Sequence, residues 1–462
     1  MQKVRQTLIG DRTFYKNVAG IVVPVIIQNA ITNFVSLLDN VMVGQVGTLQ
    51  MSGVAIANQL FFVFYLCVFG GISGAGIFTA QYAGANDDEG IRYTFRFKIL
   101  TVAALLALAL AIFLGWGKNL VSLYLTDTSD PQAVADTLGY SLEYIHIILW
   151  GLLPYAVSCC YAGTLRETGE TMLPMFASLA AVFTNLCGNY ILIYGHLGLP
   201  ALGVRGAAIA TVASRFVELF ILVFVTHRHK LRFRFIEGAW RSMAIPKNLS
   251  LAILRRGSPL IVNECLWSIG QAMLTQLYSV RGLSVVASFN ISNTVADLFN
   301  VVFLSLGSAT AIMIGQALGA NEIDRAKREV WHLASLSVGC CLVMGGLLAA
   351  VSPFIPYIYN TTDEVRSLAS VLLRISAIFM PFNAFTNVMY FTMRSGGKTV
   401  LTFLFDSGST WCLCIPIAAA LVYWTGVPVT IVYTAVLSTY ILKGIIGLIL
   451  IRKGVWIHNI VA

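Results

Sequence analysis

Residues 81–89 read QYAGANDDE and residues 316–324 read QALGANEID, and this pair of segments reveals how the chain is built. Each segment ends a longer stretch, and at a constant offset of 235 the stretches 24–87 and 259–322 align without a gap. Identical residues recur at equivalent positions: Pro24 and Pro259, Gly47 and Gly282, Asn58 and Asn293, Gln81 and Gln316. The repeat resumes at an offset of 228, where LRETGETM (165–172) aligns with MRSGGKTV (393–400). The chain is therefore predicted to contain two similar halves.

The composition indicates that both halves lie in a membrane. Hydrophobic residues make up 57% of the chain and charged residues 11%, with a mean hydropathy of +0.79, whereas soluble domains carry roughly 25% charge. A transmembrane helix needs about 20 apolar residues. Lipid offers no hydrogen bonds to the backbone, so the spanning segments are expected to be helices rather than open sheets. Six candidate spans fall in each half: about 18–43, 54–83, 96–115, 138–164, 172–194, 204–226, 252–279, 285–318, 331–351, 367–392, 399–422 and 430–452. We predict an all-α integral membrane protein whose twelve transmembrane helices form two pseudo-symmetric six-helix lobes.

The predicted domains follow from these spans and from the basic residues. They are an amphipathic N-terminal segment (1–17), an N-lobe (18–226), a cytoplasmic linker (227–251) and a C-lobe (252–462). Most lysines and arginines fall in the segments that share a side with the N-terminus, so the positive-inside rule predicts cytoplasmic termini in an inner (plasma) membrane protein. The net charge of +9 is concentrated in the linker. Topology and anionic headgroups explain that charge, so no nucleic-acid partner is predicted.

A polar cluster is predicted in the first half. Asp39 lies near the end of the first span, where a carboxylate costs several kcal/mol unless it is protonated, paired or facing water. Asn185 and Asn189 share one face of the fifth span at a comparable depth, and Thr211 of the sixth span reaches a similar level. We predict an ion-coupling site for H⁺ or Na⁺, with Asp39, Asn185 and Asn189 as candidate Na⁺ ligands. Interhelical hydrogen bonding by the amides is the alternative.

The second half carries its acids elsewhere, since the position equivalent to Asp39 is Leu274. Glu264 in the seventh span and Asp297 in the eighth are further ion-coupling candidates, because burial disfavours the charged form of a carboxyl group. Arg374 is a candidate partner for one of these acids. The predicted substrate cavity comprises polar and aromatic residues of both halves: Gln28, Asn33, Asn58, Asn263, Trp267, Gln271, Asn290, Asn293 and Asp406.

Three smaller features of the sequence also lead to predictions. The QYAGANDDE and QALGANEID segments are predicted to be paired cytoplasmic hinges, with glycine allowing each turn. Arg215 and Glu218, three residues apart on the sixth span, are predicted to form an ion pair. The nine cysteines lie mostly in apolar spans and are expected to pack rather than to form disulfides or bind metal.

In their order and spacing, these motifs resemble the MATE (multidrug and toxic compound extrusion) family. The resemblance rests on Pro24 with Asp39, the two GAN segments, LRETGETM with MRSGGKTV, Asn185 to Gly195, and GVRGAAIATVASR (203–215). It implies two six-helix lobes in a V shape, a central cavity opening alternately to each side, and export of organic compounds against inward H⁺ or Na⁺ flow. It also implies coupling roles for Asp39, Asn185, Asn189, Thr211 and Glu264. The sequence departs from the family at Asn189, where several members place an aspartate.

The leading functional hypothesis is a secondary antiporter that exports organic, cationic or amphipathic molecules by alternating access. The expected partners are a small organic substrate and the lipid bilayer, with H⁺ or Na⁺ as coupling ion, no other cofactor, and a monomeric chain. A flippase for lipid-linked precursors is the alternative, although it would favour a cavity rich in lysine and arginine. An enzyme is disfavoured, because the six histidines lack the spacing of metal ligands or of a catalytic base.

Overall fold

The computed structural model describes residues 9–125, 130–359 and 361–462, and this part of the chain is helical, without strands. The first half contains α1 (Arg12–Gly44), α2 (Thr48–Gly84), α3 (Asp88–Ser122), α4 (Pro131–Glu167), α5 (Met172–Tyr194) and α6 (Val204–Arg228). The second half contains α7 (Lys247–Ser279), α8 (Leu283–Gly319), α9 (Ile323–Val351), α10 (Asp363–Ser395), α11 (Thr399–Trp424) and α12 (Val429–Arg452). Short 3₁₀ turns occur at Arg234–Ile236 and Ile355–Ile358.

The helices confirm the predicted all-α membrane class. Within the described ranges, eleven helices are long and apolar enough to cross a membrane. Helix α7 has 33 residues, ample length for a span, but it is less apolar than the other eleven. Helix α1 begins at Arg12, so residues 12–17 of the predicted N-terminal segment belong to the first helix, while residues 1–8 lie outside the described residues.

The chain forms two compact units. The N-terminal unit consists of Ile27–Thr79 and Asp87–Ala252. The C-terminal unit consists of Ile253–Ala462, Ala80–Asn86 and the described part of Met1–Ile26. The end of α2, which carries the first GAN segment, therefore packs with the second half of the sequence.

Glycine has a different role in the GAN segments from the one predicted. In the C-terminal unit a Cβ on Gly84 would overlap the backbone of Gln316, and a Cβ on Gly319 would overlap the backbone of Gln81. The two glycines therefore allow α2 and α8 to cross in close, reciprocal contact. The turns themselves are made by the asparagines, since Asn86 (φ 55°) and Asn321 (φ 60°) adopt the left-handed conformation that asparagine tolerates.

The segment from Trp456 to Ala462 packs against the crossing of α2 and α8 and forms hydrogen bonds with Gln81. Gln81 is fully buried, and its amide nitrogen donates to the carbonyls of Ser395 (2.8 Å) and His458 (3.2 Å). Its amide oxygen accepts from the backbone N–H of Ile460 at 2.8 Å. Every polar atom of this buried side chain is thus used, which is how a buried amide avoids the cost of desolvation.

The linker after α6 is folded against the N-terminal unit. Arg96 of α3 donates to the carbonyls of Gly238 (2.8 Å), Ala239 (2.9 Å) and Ala244 (3.1 Å). Trp240 donates from its indole nitrogen to the Tyr161 hydroxyl at 3.2 Å. These bonds hold the linker backbone in one place, and the linker buries its own side chains Phe233, Phe235 and Ile236.

Candidate functional site

Helices α5 and α6 pack closely in the N-terminal unit and bring the predicted amides to Thr211. A Cβ on Gly188 of α5 would lie 2.8 Å from the Cβ of Ala210 on α6. A small residue at this position therefore lets the two backbones approach, as is common between membrane helices. Asn185 and Asn189 are buried at this contact, and the Asn185 amide lies 3.2 Å from the Thr211 hydroxyl.

Asp39 of α1 joins these residues and completes the predicted cluster. The Asn189 amide nitrogen donates to Asp39 Oδ1 at 2.6 Å. With the Asn185 oxygen accepting from Thr211 Oγ1, the Asn185 nitrogen donates to Asp39 Oδ1 at 2.9 Å and to Oδ2 at 3.1 Å. This amide orientation satisfies both ends of Asn185. The carboxylate is then held by two neutral amides.

The surroundings of this cluster are polar but uncharged. Tyr144 is buried, with its hydroxyl beside Thr211 and Asn58, so Asn58 borders the cluster. No cation in the described part of the chain forms an ion pair with Asp39: Arg215 lies within electrostatic range but is paired with Glu218. Asn189 Oδ1 is buried and has no hydrogen-bond partner among the described residues. The cluster thus offers a carboxylate and one uncommitted amide oxygen.

A second group of polar residues, the paired layer, lies on the same helices and contains an ion pair. Arg215 Nη1 lies 3.3 Å from Glu218 Oε2, which confirms the predicted ion pair. Ser178 donates to Glu218 Oε1 at 2.7 Å, and Gln28 donates to Ser178 at 2.7 Å. Gln28 therefore contributes to this layer rather than to the Asp39 cluster.

Two carboxylates of the C-terminal unit, Glu264 and Asp406, each lie beside a cation. Arg394 Nη1 lies 4.0 Å from Glu264 Oε1, and Lys443 Nζ donates to Asp406 Oδ1 at 3.2 Å. The side chains of Arg394 and Lys443 are only 10% and 9% exposed. From the sequence, Arg374 was the candidate partner for one of the acids. That suggestion is wrong: Arg374 donates to Ser352 Oγ at 3.3 Å.

Asn263 and Tyr390 connect the two pairs. Asn263 Nδ2 donates to Asp406 Oδ2 at 3.3 Å and to the Tyr390 hydroxyl at 3.4 Å, and Arg394 donates to the same hydroxyl at 3.4 Å. Asp406 lies in a π-helical stretch of α11, Leu404–Gly408, which is followed by a second, Thr410–Cys414. Turns of π-helix are rare and often occur at functional sites. Their presence around Asp406 indicates that this part of α11 has a role beyond simply crossing the membrane.

The internal repeat relates the two paired layers. At the offset of 235, Asn263 is equivalent to Gln28, and at the offset of 228, Asp406 and Lys443 are equivalent to Ser178 and Arg215. In the first half, Gln28 of α1 donates to Ser178 of α5, close to the pair of Arg215 and Glu218 on α6. In the second half, Asn263 of α7 donates to Asp406 of α11, which is paired with Lys443 of α12. This alignment was the sequence signal that could have predicted the Lys443 pair.

The Asp39 cluster has no counterpart in the second half. The positions equivalent to Asp39, Asn185, Asn189 and Thr211 are Leu274, Leu413, Ile417 and Thr439. Leu274 is buried in an apolar cluster with residues of α8, α11 and α12. The level that is polar in the first half is thus largely hydrophobic core in the second.

Several other predicted site residues lie apart from both networks. Asn290, Asn293 and Asp297 form an exposed polar face of α8, and Asp297 has one hydrogen bond within the described ranges, from Asn300 at 3.5 Å. Exposed residues elsewhere are Asn33 of α1 and Trp267 of α7, and Gln271 is partly exposed. The structure does not bring Asp297 to Glu264 or to Asp406.

A chain of two similar halves, with carboxylates and amides held inside its membrane helices, defines a membrane transporter. The chain belongs to the MatE family, whose model matches residues 24–191 and 259–420. It is accordingly a transporter and not an enzyme.

Related proteins match nearly the whole chain. A probable multidrug resistance protein NorM of Thermotoga maritima is 23% identical over 453 residues, covering 96% of this chain and 93% of the relative. A probable multidrug resistance protein YoeA of Bacillus subtilis is 26% identical over 418 residues, covering 89% and 88%. The crystal structure of a MATE protein in complex with MaL6 superposes with a TM-score of 0.85 at 19% identity over 98% of both chains. That likeness confirms the fold.

Proposed function

We propose that the protein exports organic, cationic or amphipathic compounds across the inner (plasma) membrane in exchange for protons. The names of its relatives, which describe multidrug resistance proteins, support the substrate class. The exposed polar face of α8 supports it as well, because amides and a carboxylate in a membrane helix are expected to face water rather than lipid. The excess of basic residues in the linker supports cytoplasmic termini.

The arrangement around Asp39 carries the proposal of proton coupling. With the Asn185 amide oriented by its hydrogen-bond partners, two amide nitrogens point at the carboxylate, and the Asn185 oxygen accepts from Thr211 instead of facing a cation site. Na⁺ binding needs several oxygens that converge on one point. A carboxyl group that lacks a cationic partner inside the membrane can instead become neutral by taking up a proton. Asp39 is therefore proposed as the proton carrier, with Asn185, Asn189 and Thr211 as its positioning residues.

One observation favours Na⁺ as the second candidate ion. Asn189 Oδ1 is buried without a hydrogen-bond partner in the described part of the chain. Together with an oxygen of Asp39 it could provide two ligands, and water would have to supply the others. A rotation of the Asn185 amide would add a third, at the expense of its bonds to Asp39.

The carboxylates of the C-terminal unit are proposed to have a different role. Glu264 and Asp406 each neutralise a buried cation, so each pair carries no net charge. The same pairing weakens the flippase alternative, because Arg394 and Lys443 are already committed and do not present free positive charge to a pyrophosphate. We propose that the two pairs hold α7, α10, α11 and α12 together around Asn263.

The test is efflux of a fluorescent organic cation, ethidium, from proteoliposomes that contain the purified protein. The expected result is efflux driven by an imposed pH gradient and unaffected by a Na⁺ gradient. Efflux driven by Na⁺ alone would replace the proton with Na⁺ as the coupling ion. No response to either gradient, in protein shown to be folded and inserted, would overturn the antiport proposal.

A further inference from the structure

A groove on the outer surface of α6 has the dimensions and the chemistry of a lipid site. Its volume is about 630 Å³, and it is lined by a row of phenylalanines, Phe216, Phe220 and Phe224, and by Val223, His227 and Arg228. The three phenylalanines are exposed and lie four residues apart on one face of the helix. The rings of Phe220 and Phe224 are stacked, with centroids 5.5 Å apart.

The length of the groove matches one leaflet of a bilayer. Phe216 and Arg228 are twelve residues apart in a continuous helix, which corresponds to about 18 Å at a rise of about 1.5 Å per residue. Half of a hydrocarbon core is about 15 Å thick. The row of phenylalanines therefore covers the depth of one acyl chain, and the helix ends at the level of the headgroups.

The headgroup end of the groove carries positive charge that has no internal partner. Arg228 and Lys230 are exposed, and neither forms an ion pair with any described residue. The basic residues Arg96 and Lys98 of helix α3 differ in this respect. Arg96 is committed to three linker carbonyls, and the fully buried Lys98 is paired with Glu167.

The linker that follows these two residues is folded against the N-terminal unit. The bonds of Arg96 to Gly238, Ala239 and Ala244 anchor the chain that follows Lys230. The ring of His227 is oriented as well, because its Nδ1 donates to the Val223 carbonyl at 2.9 Å. His227 and the exposed Arg228 thus line one end of an apolar groove, and the exposed Lys230 follows two residues after Arg228 in the chain.

We propose that this groove binds an anionic diacyl phospholipid from the leaflet on the linker side. One acyl chain lies along Phe216, Phe220 and Phe224, and the phosphate lies beside Arg228 and Lys230. The apolar groove alone would accept any lipid, whereas the two cations select a negatively charged headgroup. A basic segment next to a membrane helix gains about fivefold in affinity per charge for an anionic surface.

The experiment is native mass spectrometry of the full-length, delipidated protein with matched dioleoyl lipids, phosphatidylglycerol and phosphatidylcholine. We expect the wild type to prefer phosphatidylglycerol, and the double variant Arg228→Gln/Lys230→Gln to lose about 25-fold of that preference, from two charges. The control is Arg241→Gln/Lys247→Gln, which removes two exposed linker charges outside the groove and should change the preference less than threefold.

Further arms of the experiment separate the alternatives. Phe220→Ala/Phe224→Ala should weaken binding of both lipids while keeping the preference, because it alters only the acyl-chain part. Equal losses in the groove variant and the linker control would overturn the site in favour of diffuse surface attraction. Full competition by water-soluble glycerol 3-phosphate would show a free phosphate site, and absence of any preference in the wild type would refute the proposal.

Discussion

In the N-terminal unit Asp39 is held by two neutral amides, whereas in the C-terminal unit Glu264 and Asp406 each lie beside a cation. The paired layer is common to both halves, since Arg215 with Glu218 in the first corresponds to Lys443 with Asp406 in the second. The Asp39 layer belongs to the first half alone, because Leu274 fills the equivalent position.

This difference separates a structural role from a role in coupling. A buried ion pair carries no net charge, and removing one partner leaves the other charge uncompensated at a cost of several kcal/mol. Such a pair resists a change of protonation. A carboxylate held only by amides has no such restraint, because protonation removes its charge and leaves no ion behind. On this basis we propose coupling for Asp39 and helix association for the paired layer.

The largest expected effect is on transport and comes from Asp39→Asn. Asparagine keeps the size of the side chain but cannot carry a proton, so ethidium efflux driven by a pH gradient should fall to the level of protein-free liposomes. Expression and thermal stability should stay at wild-type values, because no ion pair is broken. The matched control is the double variant Asp406→Asn/Lys443→Met, which removes a neutral pair and should retain pH-driven efflux. Loss of efflux in the control alone would reverse the assignment.

The second prediction concerns stability and the paired layer. Lys443→Met leaves the Asp406 charge unpaired and should destabilise the protein by about 3–5 kcal/mol. The double variant with Asp406→Asn should recover most of that loss. Arg215→Met, alone and combined with Glu218→Gln, should behave in the same way if the two layers are equivalent. Thermal unfolding of the detergent-purified variants measures both cycles, and additive losses in the double variants would contradict the pairing.

The smallest expected effect concerns the scaffold that the two halves share. Gly84→Ala and Gly319→Ala each place a Cβ against the backbone of the opposite helix at the α2–α8 crossing. Overpacking of a core typically costs about 1–3 kcal/mol, and contact with backbone rather than with a flexible side chain places these variants near the upper end of that range. Because the contacts are reciprocal, the two variants should lower the melting temperature by similar amounts. Gly115→Ala, at a position with open space around it, is the control and should change stability little.

The Asp39 cluster could be predicted from the sequence by counting residues along helices with a known rise per residue. Asp39, Asn189 and Thr211 lie at similar depths on straight helices with a constant rise per residue, so counting along the chain predicts that they meet. The twelve helices followed from apolar length in the same way.

The partners of the second-half acids could not be predicted by the same argument. Arg394 lies in the last turn of α10, and Lys443 lies in the half of α12 that precedes its end at Arg452. The positive-inside rule assigns basic residues in such positions to the cytoplasmic side without regard to side-chain direction. A long side chain can reach back into the membrane region from such a position, and only the packing of α10 and α12 decides that it does. The role of Gly84 was hidden for a related reason, because its neighbour Gln316 lies far away in sequence.

The most direct test of the assignment to Asp39 is proton release on substrate binding. Saturating ethidium is added to detergent-purified protein in weakly buffered solution near neutral pH, and the pH change is recorded. The account predicts that the wild type and the Asp406→Asn/Lys443→Met variant release protons to the same extent and that Asp39→Asn releases none. Undiminished release from Asp39→Asn, together with its loss in the double variant, would contradict the account and assign the coupling site to the C-terminal unit.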